Sequence, residues 1–171
     1  MKILDGKLLA KNLNNELSKK ILSYNKEYGR RPHLLVILVG DNPASQVYVK
    51  NKEKKAAEVG IKSTVIRLSK NESENNLLKV IDEANADISV DSILVQLPLP
   101  NHINSNKVID RISIEKDVDG FNSKNIGLLA LGRPKVIPCT PLGCYKMLES
   151  ILDLEGKKVI ILGRSNIVGK P

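Results

Sequence analysis

The chain has 171 residues, enough for one domain of ordinary size or one domain and part of another, with the composition of a packed soluble protein: 42% hydrophobic and 27% charged. No apolar run approaches the ~20 residues of a bilayer crossing, and the start, Met1 to Gly6, lacks a secretory signal, so the chain reads as cytoplasmic with no membrane partner. A net charge of +8 favours anionic ligands, but aromatic residues are only 3% and the lysines are dispersed, which argues against a nucleic-acid partner and for a solvated surface.

Leucines and isoleucines at 9, 13, 17 and 21, spaced by polar residues, predict an amphipathic helix over residues 7–28, ended by Gly29. Residues 34–39 are an unbroken apolar run, the mark of a strand buried on both faces. A helix over 45–59 closed by Gly60, a strand over 63–68, a helix over 74–86, a strand over 92–97 and a short helix over 104–111 follow. Strands alternating with helices specify an α/β fold with a parallel, doubly wound sheet.

Residues 113–140 carry several glycines and prolines without periodicity and read as loops and short elements. A helix is expected from Pro141 to about residue 154, with Thr140 as its N-cap. Residues 159–162, Val-Ile-Ile-Leu, read as another buried strand leading into a glycine-bearing turn, the way a dinucleotide-binding domain opens. Cys139 and Cys144 have no second Cys/His pair to complete a zinc site, since His33 and His102 are isolated, and read as buried inert thiols.

Four segments could carry chemistry. Ser45, Tyr48 and Lys52 share one helical face by the i, i+3, i+4 rule, after a strand whose carboxyl end is where ligands collect in such sheets. A lysine there can move protons; the other reading is an exposed helix rich in lysine. Gln96 is the one polar residue in an apolar strand ahead of Pro98 and Pro100, and either bonds nearby backbone or faces a ligand. Asp117 and Asp119 sit in a loop as a candidate cation pair without an evident third ligand, or as turn residues before Gly120. The turn from Gly163 to Gly169 is not a GxGxxG fingerprint, yet its amides can face a phosphate and Arg164 could pair a 2′-phosphate.

Together and in this order, Tyr48-x3-Lys52, the Val95 to Pro100 string, Glu115-Lys116-Asp117-Val118-Asp119-Gly120, Pro138-Cys139-Thr140-Pro141 and Gly163-Arg164-Ser165-x-Ile167-Val168-Gly169-x-Pro171 closely resemble the bifunctional methylenetetrahydrofolate dehydrogenase/methenyltetrahydrofolate cyclohydrolase family, across essentially the whole chain. The resemblance implies a folate-binding catalytic domain over residues 1–138, with its boundary inside 118–140, and the incomplete start of a Rossmann-type NADP-binding domain over 139–171. It implies Lys52 as the proton-transfer residue, Gln96 as the amide that tunes it, Tyr48 stacking on folate, and Asp119 gripping the pterin, with Ser45 and Pro98 also lining the folate site. NADP would be held by Thr140, Gly163, Arg164, Ser165, Ile167 and Val168, with no metal.

The family continues well past Pro171, so the chain is expected to be an N-terminal portion. On its own it is expected to lose NADP-dependent oxidation of 5,10-methylenetetrahydrofolate and to keep little hydrolysis of 5,10-methenyltetrahydrofolate to 10-formyltetrahydrofolate. The alternative is an inactive folate-binding fragment. The resemblance also implies a parent homodimer formed largely through the cofactor domain.

Overall fold

A computed structural model describes residues 3–171. It is built on a three-stranded parallel sheet, β1 (His33–Val39), β2 (Lys62–Leu68) and β3 (Ser92–Val95), in the order β2-β1-β3. Helix α1 (Gly6–Tyr28) precedes β1, α2 (Pro43–Val59) joins β1 to β2, and α3 (Glu74–Ala86) joins β2 to β3. The chain then continues through α4 (Ser105–Arg111), α5 (Ser123–Ala130) and α6 (Cys139–Glu149).

The apolar run of β1 is explained by burial on both faces. Leu35, Ile37 and Val39 pack with Leu77 and Ile81 of α3, with Ile93 and Val95 of β3, and with Val108 of α4. Val36 and Leu38, one residue out of phase, point the other way onto Val49 of α2 and Leu94. Because β2 and β3 lie on opposite sides of β1, the chain reverses its winding direction at β1, as expected for a doubly wound sheet.

Local chemistry sets the element ends. The Asp5 carboxylate caps α1 by accepting from the Lys7 and Leu8 amides, and Gly29 closes it in the left-handed region at φ 66°. Helix α2 starts two residues earlier than the apolar pattern predicts, because Pro43 suits a first helical position and the Asn42 side chain accepts from the Ser45 amide.

Strand β3 ends at Val95, short of Leu97, although the Gln96 amide still donates to the Ile37 carbonyl at 2.9 Å. Helix α6 begins at Cys139 rather than Pro141, so Thr140 lies inside its first turn and is not its cap. Pro141 is tolerated there because the first amides of a helix have no intrahelical acceptor; the Leu142 amide already donates to the Pro138 carbonyl. The helix stops at Glu149, short of residue 154, and buries no residue, so Cys139 and Cys144 are free and exposed instead of buried.

Residues 159–162 form no strand. Ile160 is 88% exposed and Leu162 98% exposed. A strand needs a neighbour to receive its amides and carbonyls, and none lies beside this run among the described residues. No helix among the described residues is long and apolar enough to cross a membrane.

One ion pair ties the start of β1 to the start of β3. Arg30 donates both guanidinium nitrogens to Asp91, at 2.5 and 2.8 Å, and the same carboxylate accepts from the His33 amide at 2.8 Å. The bonded guanidinium holds the Asp91 carboxyl below its ordinary value of 3.8. A depressed carboxylate contributes stability above its unfolded pKa and loses it as pH falls through the lower folded value. Asp91→Asn is therefore expected to destabilise the protein at neutral pH, and its deficit should close as pH falls below 3.8. Denaturant midpoints measured across that range check this; a deficit independent of pH would contradict it.

Candidate functional site

The loop after α4 gives each residue of Lys116-Asp117-Val118-Asp119-Gly120 a separate task. Lys116 donates its ammonium to the carbonyls of Ala84, Asn85 and Asp87 at the end of α3, where a helix presents unpaired acceptors. Asp117 is buried, pairs as a single parallel bridge with Ile93, and accepts from the Asn122 amide at 2.9 Å and the Asn125 side chain at 2.8 Å. Asp117 therefore anchors the start of α5. Val118 joins the apolar cluster on the α2 face.

Gly120 turns the loop at φ 68°, and a Cβ there would meet Val136 at 3.3 Å, so glycine suits both the turn and the packing. The two carboxylates have different surroundings. Asp117 is spent on structure and Asp119 is left to face an open cleft. Among the described residues no group of three or more His, Cys, Asp or Glu side chains is placed to hold a metal ion.

The cleft holds about 680 Å³ and lies on the α2 face of the sheet, beside β3. Lys52 and Tyr48 enter it from α2, Gln96 from the end of β3, and Asp119 from the loop, with Leu34 and Leu94 forming an apolar floor. The site lies over a sheet face and reaches the carboxyl end of β3 at Val95, Gln96 and Leu97. At the carboxyl ends of the strands lie two other pockets, one of about 280 Å³ bordered by Gly40, Asn42 and Pro98 and one of about 850 Å³ bordered by Leu38, Gly40, Pro43 and Arg67. Beyond β3, among the described residues, the sheet adds only the isolated bridge at Asp117.

Within the cleft Lys52 and Gln96 meet: the Lys52 Nζ donates to Gln96 Oε1 at 3.2 Å. The Gln96 amide has one sensible orientation, because its Nε2 donates to the Leu97 carbonyl at 2.7 Å and so turns Oε1 toward the lysine. Lys52 is half-buried and Tyr48 is 61% exposed, its ring lying open along the cleft wall. Burial pushes the Asp119 carboxyl above its ordinary range, the Lys52 charge pulls it back, and the Asp117 charge adds to the rise. No hydrogen-bond donor offsets that burial among the described residues, so the carboxylate is free to receive a ligand's N–H groups.

Not every expected residue comes to this place. Ser45 is buried at 2% exposure with its hydroxyl unpartnered, and does not line the cleft; Pro98 borders the smaller pocket. Thr140 and Ile167 reach the cleft rim, whereas Gly163, Arg164, Ser165 and Val168 lie on an exposed turn away from its lining. In that turn the Ser165 carbonyl accepts from the Gly169 and Lys170 amides, and a Cβ on Gly169 would strike the Gly163 carbonyl at 2.6 Å. The tight turn therefore requires glycine at 169, for packing of the turn on itself.

The structure also brings in residues that the pattern did not single out. Asn14 and Leu17 of α1, Lys55 of α2, Phe121 and Cys139 line the same cleft. Leu17 belonged to the predicted apolar stripe of α1, and Phe121 and Cys139 adjoin motif residues. Asn14 carried no signal, because its placement depends on how α1 packs against α2.

Residues 4–119 match the family model described as tetrahydrofolate dehydrogenase/cyclohydrolase, catalytic domain, and residues 138–171 match the NAD(P)-binding domain of the same family. The bifunctional protein FolD of Streptococcus uberis is 54% identical over 170 residues, covering 99% of this chain and 60% of that protein. The chain thus spans about 60% of the length of the curated relatives it matches.

Among solved structures, the bifunctional FolD methylenetetrahydrofolate dehydrogenase/cyclohydrolase of Campylobacter jejuni superposes with a TM-score of 0.96 at 50% identity, covering 99% of this chain and 61% of that one. The Trypanosoma brucei methylenetetrahydrofolate dehydrogenase-cyclohydrolase, solved with NADP cofactor and inhibitor, gives 0.93 at 34% identity, covering 98% and 58%. The α/β fold with a parallel sheet, followed by the start of a Rossmann-type domain, agrees with these structures. By the match of its motifs, its fold and more than half of its length, the chain belongs to the tetrahydrofolate dehydrogenase/cyclohydrolase family.

Proposed function

We propose that this chain supplies the folate-binding and proton-transfer part of an enzyme of one-carbon metabolism. The enzyme oxidises 5,10-methylenetetrahydrofolate with NADP and hydrolyses the resulting 5,10-methenyltetrahydrofolate to 10-formyltetrahydrofolate. Residues 1–138 form the catalytic domain and 139–171 open the cofactor domain. The observation that carries this reading is the contact of Lys52 Nζ with Gln96 Oε1 at 3.2 Å, in a cleft that Asp119 also faces. Two free thiols fit a cytoplasmic setting.

The residues divide the work by chemistry. Asp119 accepts the amino and ring N–H groups of the pterin, and the apolar floor takes its flat face together with the Tyr48 ring. Gln96 occupies one hydrogen of the Lys52 ammonium and fixes the direction of the others. In hydrolysis, water adds to the electrophilic methenyl carbon and passes a proton to Lys52. The protonated lysine then returns a proton to the ring nitrogen as its bond to that carbon breaks.

Arg164 is exposed and makes no ion pair among the described residues, which suits the phosphate of a dinucleotide. When bound, NADP supplies the hydride acceptor for the oxidation.

Asp119→Asn provides the test. Removing the carboxylate is expected to weaken tetrahydrofolate binding by about tenfold or more, the usual scale for a lost charged hydrogen bond. The same change should stabilise the protein. A carboxyl with a raised folded pKa contributes stability below its unfolded value and loses it as pH rises through the folded one, so the charged form at neutral pH is a cost. Calorimetric titration of tetrahydrofolate and thermal unfolding near pH 7 measure the two effects. Unchanged affinity would remove Asp119 from the site, and absence of binding by the unsubstituted protein would remove the folate reading.

A further inference from the structure

The loop that carries Asp119 is closed by buried polar groups that the proposed chemistry leaves unused. Asp117, Asn122 and Asn125 are all buried, Asn125 completely. Asp117 Oδ2 accepts from the Asn122 amide at 2.9 Å and from Asn125 Nδ2 at 2.8 Å. Asn125 Nδ2 also donates to the Ile114 carbonyl at 3.2 Å, and Asn122 Nδ2 to the Ile112 carbonyl at 3.0 Å. Residues 117–122 are thus tied end to end, with Asp119 and the Gly120 turn at their tip.

No donor of the protein holds Asp119 among the described residues, so its carboxylate is placed by the backbone on which it stands. That backbone is fixed on one side by β3, where the Ile93 amide donates to the Lys116 carbonyl at 2.7 Å. On the other side it is fixed by the bonds to the Asp117 carboxylate. Asn125 joins the arrangement to α5 at some cost, since its Oδ1 is buried without a partner. An apolar side chain of similar volume would avoid that cost but would leave Asp117 Oδ2 with one donor fewer. What the amide contributes is therefore the grip of its Nδ2 on Asp117 and Ile114.

We propose that Asn125 is a positioning residue: through Asp117 it holds the Asp119 carboxylate where the N–H groups of the cleft's ligand meet it. The proposal rests on the folate reading of that cleft. Asn125 does not line the cleft. It acts by fixing the loop before the ligand arrives, so that binding does not have to order it.

The experiment is a double-substitution cycle on the 171-residue protein, read by calorimetric titration with tetrahydrofolate near neutral pH. Asn125→Leu is expected to weaken binding about fivefold, less than loss of the Asp119 carboxylate itself. In the Asp119→Asn background the same substitution should change affinity by less than about twofold, because the group it positions is gone. Asp117→Ala should weaken binding as Asn125→Leu does. Asp117→Asn, which keeps an oxygen to accept both N–H groups, should recover most of that loss. Unchanged far-ultraviolet circular dichroism confirms folding; if Asn125→Leu unfolds, Asn125→Ser, whose side chain is smaller and one bond shorter, carries the cycle.

Equal losses with and without the Asp119 carboxylate overturn the proposal and leave Asn125 as a stabilising core residue, as does unchanged affinity in Asn125→Leu. A loss in Asp117→Asn as large as that in Asp117→Ala also overturns it, since charge and not position would then be what Asp117 supplies. In each of these cases the unsubstituted protein binds tetrahydrofolate and the folate reading stands. Failure of the unsubstituted protein to bind overturns that reading and this proposal together.

Discussion

Lys52→Met will slow the hydrolysis of methenyltetrahydrofolate by about 10²–10⁴-fold, the range that a positioned proton-transfer group contributes. Methionine keeps the length and most of the volume of the lysine stem, so the cleft wall should retain its shape. What it removes is the Nζ that reaches Gln96 Oε1 at 3.2 Å. Folate affinity should change much less than turnover, because Asp119 and the apolar floor remain. The measurement is the decay of methenyltetrahydrofolate absorbance in the enzyme that carries the activity, beside an equilibrium titration of the ligand. Turnover within a few fold of the unsubstituted enzyme would show that another group, or bulk water, moves the proton.

A Gln96→Glu change makes a useful companion, since it leaves the lysine in place and alters only its neighbour. Equal losses in both variants would point to a shared positioning role. A larger loss in Lys52→Met would identify the lysine as the group that exchanges the proton.

The largest effect on stability is expected at Ile37. Its side chain is fully buried at the centre of β1, in a cluster with Leu77, Ile81, Ile93 and Val95. Ile37→Ala should cost about 2–5 kcal/mol, since the lost apolar transfer is joined by a cavity that a strand hydrogen-bonded on both sides cannot close. That is a large share of the ~5–15 kcal/mol that usually holds a domain together. Leu162→Ala is the control: the residue is just as apolar, but at 98% exposure its loss should stay within about 0.5 kcal/mol. Denaturant unfolding of the pair measures both values. A comparable loss at Leu162 would mean that the 159–162 run is packed in solution.

The two substitutions show where hydrophobic pattern informs and where it misleads. Residues 34–39 and 159–162 look alike as short apolar runs between turn signals. The first becomes a central strand because β2 and β3 bracket it, and the second forms no strand because no neighbour lies beside it among the described residues. Periodicity reports which side chains prefer burial, not whether a partner is present to bury them. The shift of α6 is of another kind. Thr140 is a good capping residue by type, but Pro141 is equally acceptable inside a first turn, so the helix could begin two residues earlier.

The site divides along the same line. Lys52, Gln96 and Asp119 were singled out from local chemistry: a lysine one turn from a tyrosine, an amide in an apolar strand, and a carboxylate before a glycine. Their order in the chain carried the resemblance to the folate enzymes. Local spacing did not say which of the two loop carboxylates faces the cleft, since i and i+2 residues share a direction only in an extended chain; the resemblance alone named Asp119. Asp117 was diverted by Asn122 and Asn125, whose positions depend on the docking of α5.

The amino-acid sequence by itself determined the α/β class, the parallel sheet and the family, and nominated Lys52 and Gln96 for the proposed proton transfer, because these rest on periodicity and on motifs read along the chain. Only the tertiary structure decided that the cleft lies on the α2 face of the sheet and that Ser45 and Pro98 stay outside its lining. It also decided that α1 contributes Asn14 and Leu17 to the cleft. Those outcomes depend on how separate elements pack, and packing joins residues that the order of the chain leaves apart.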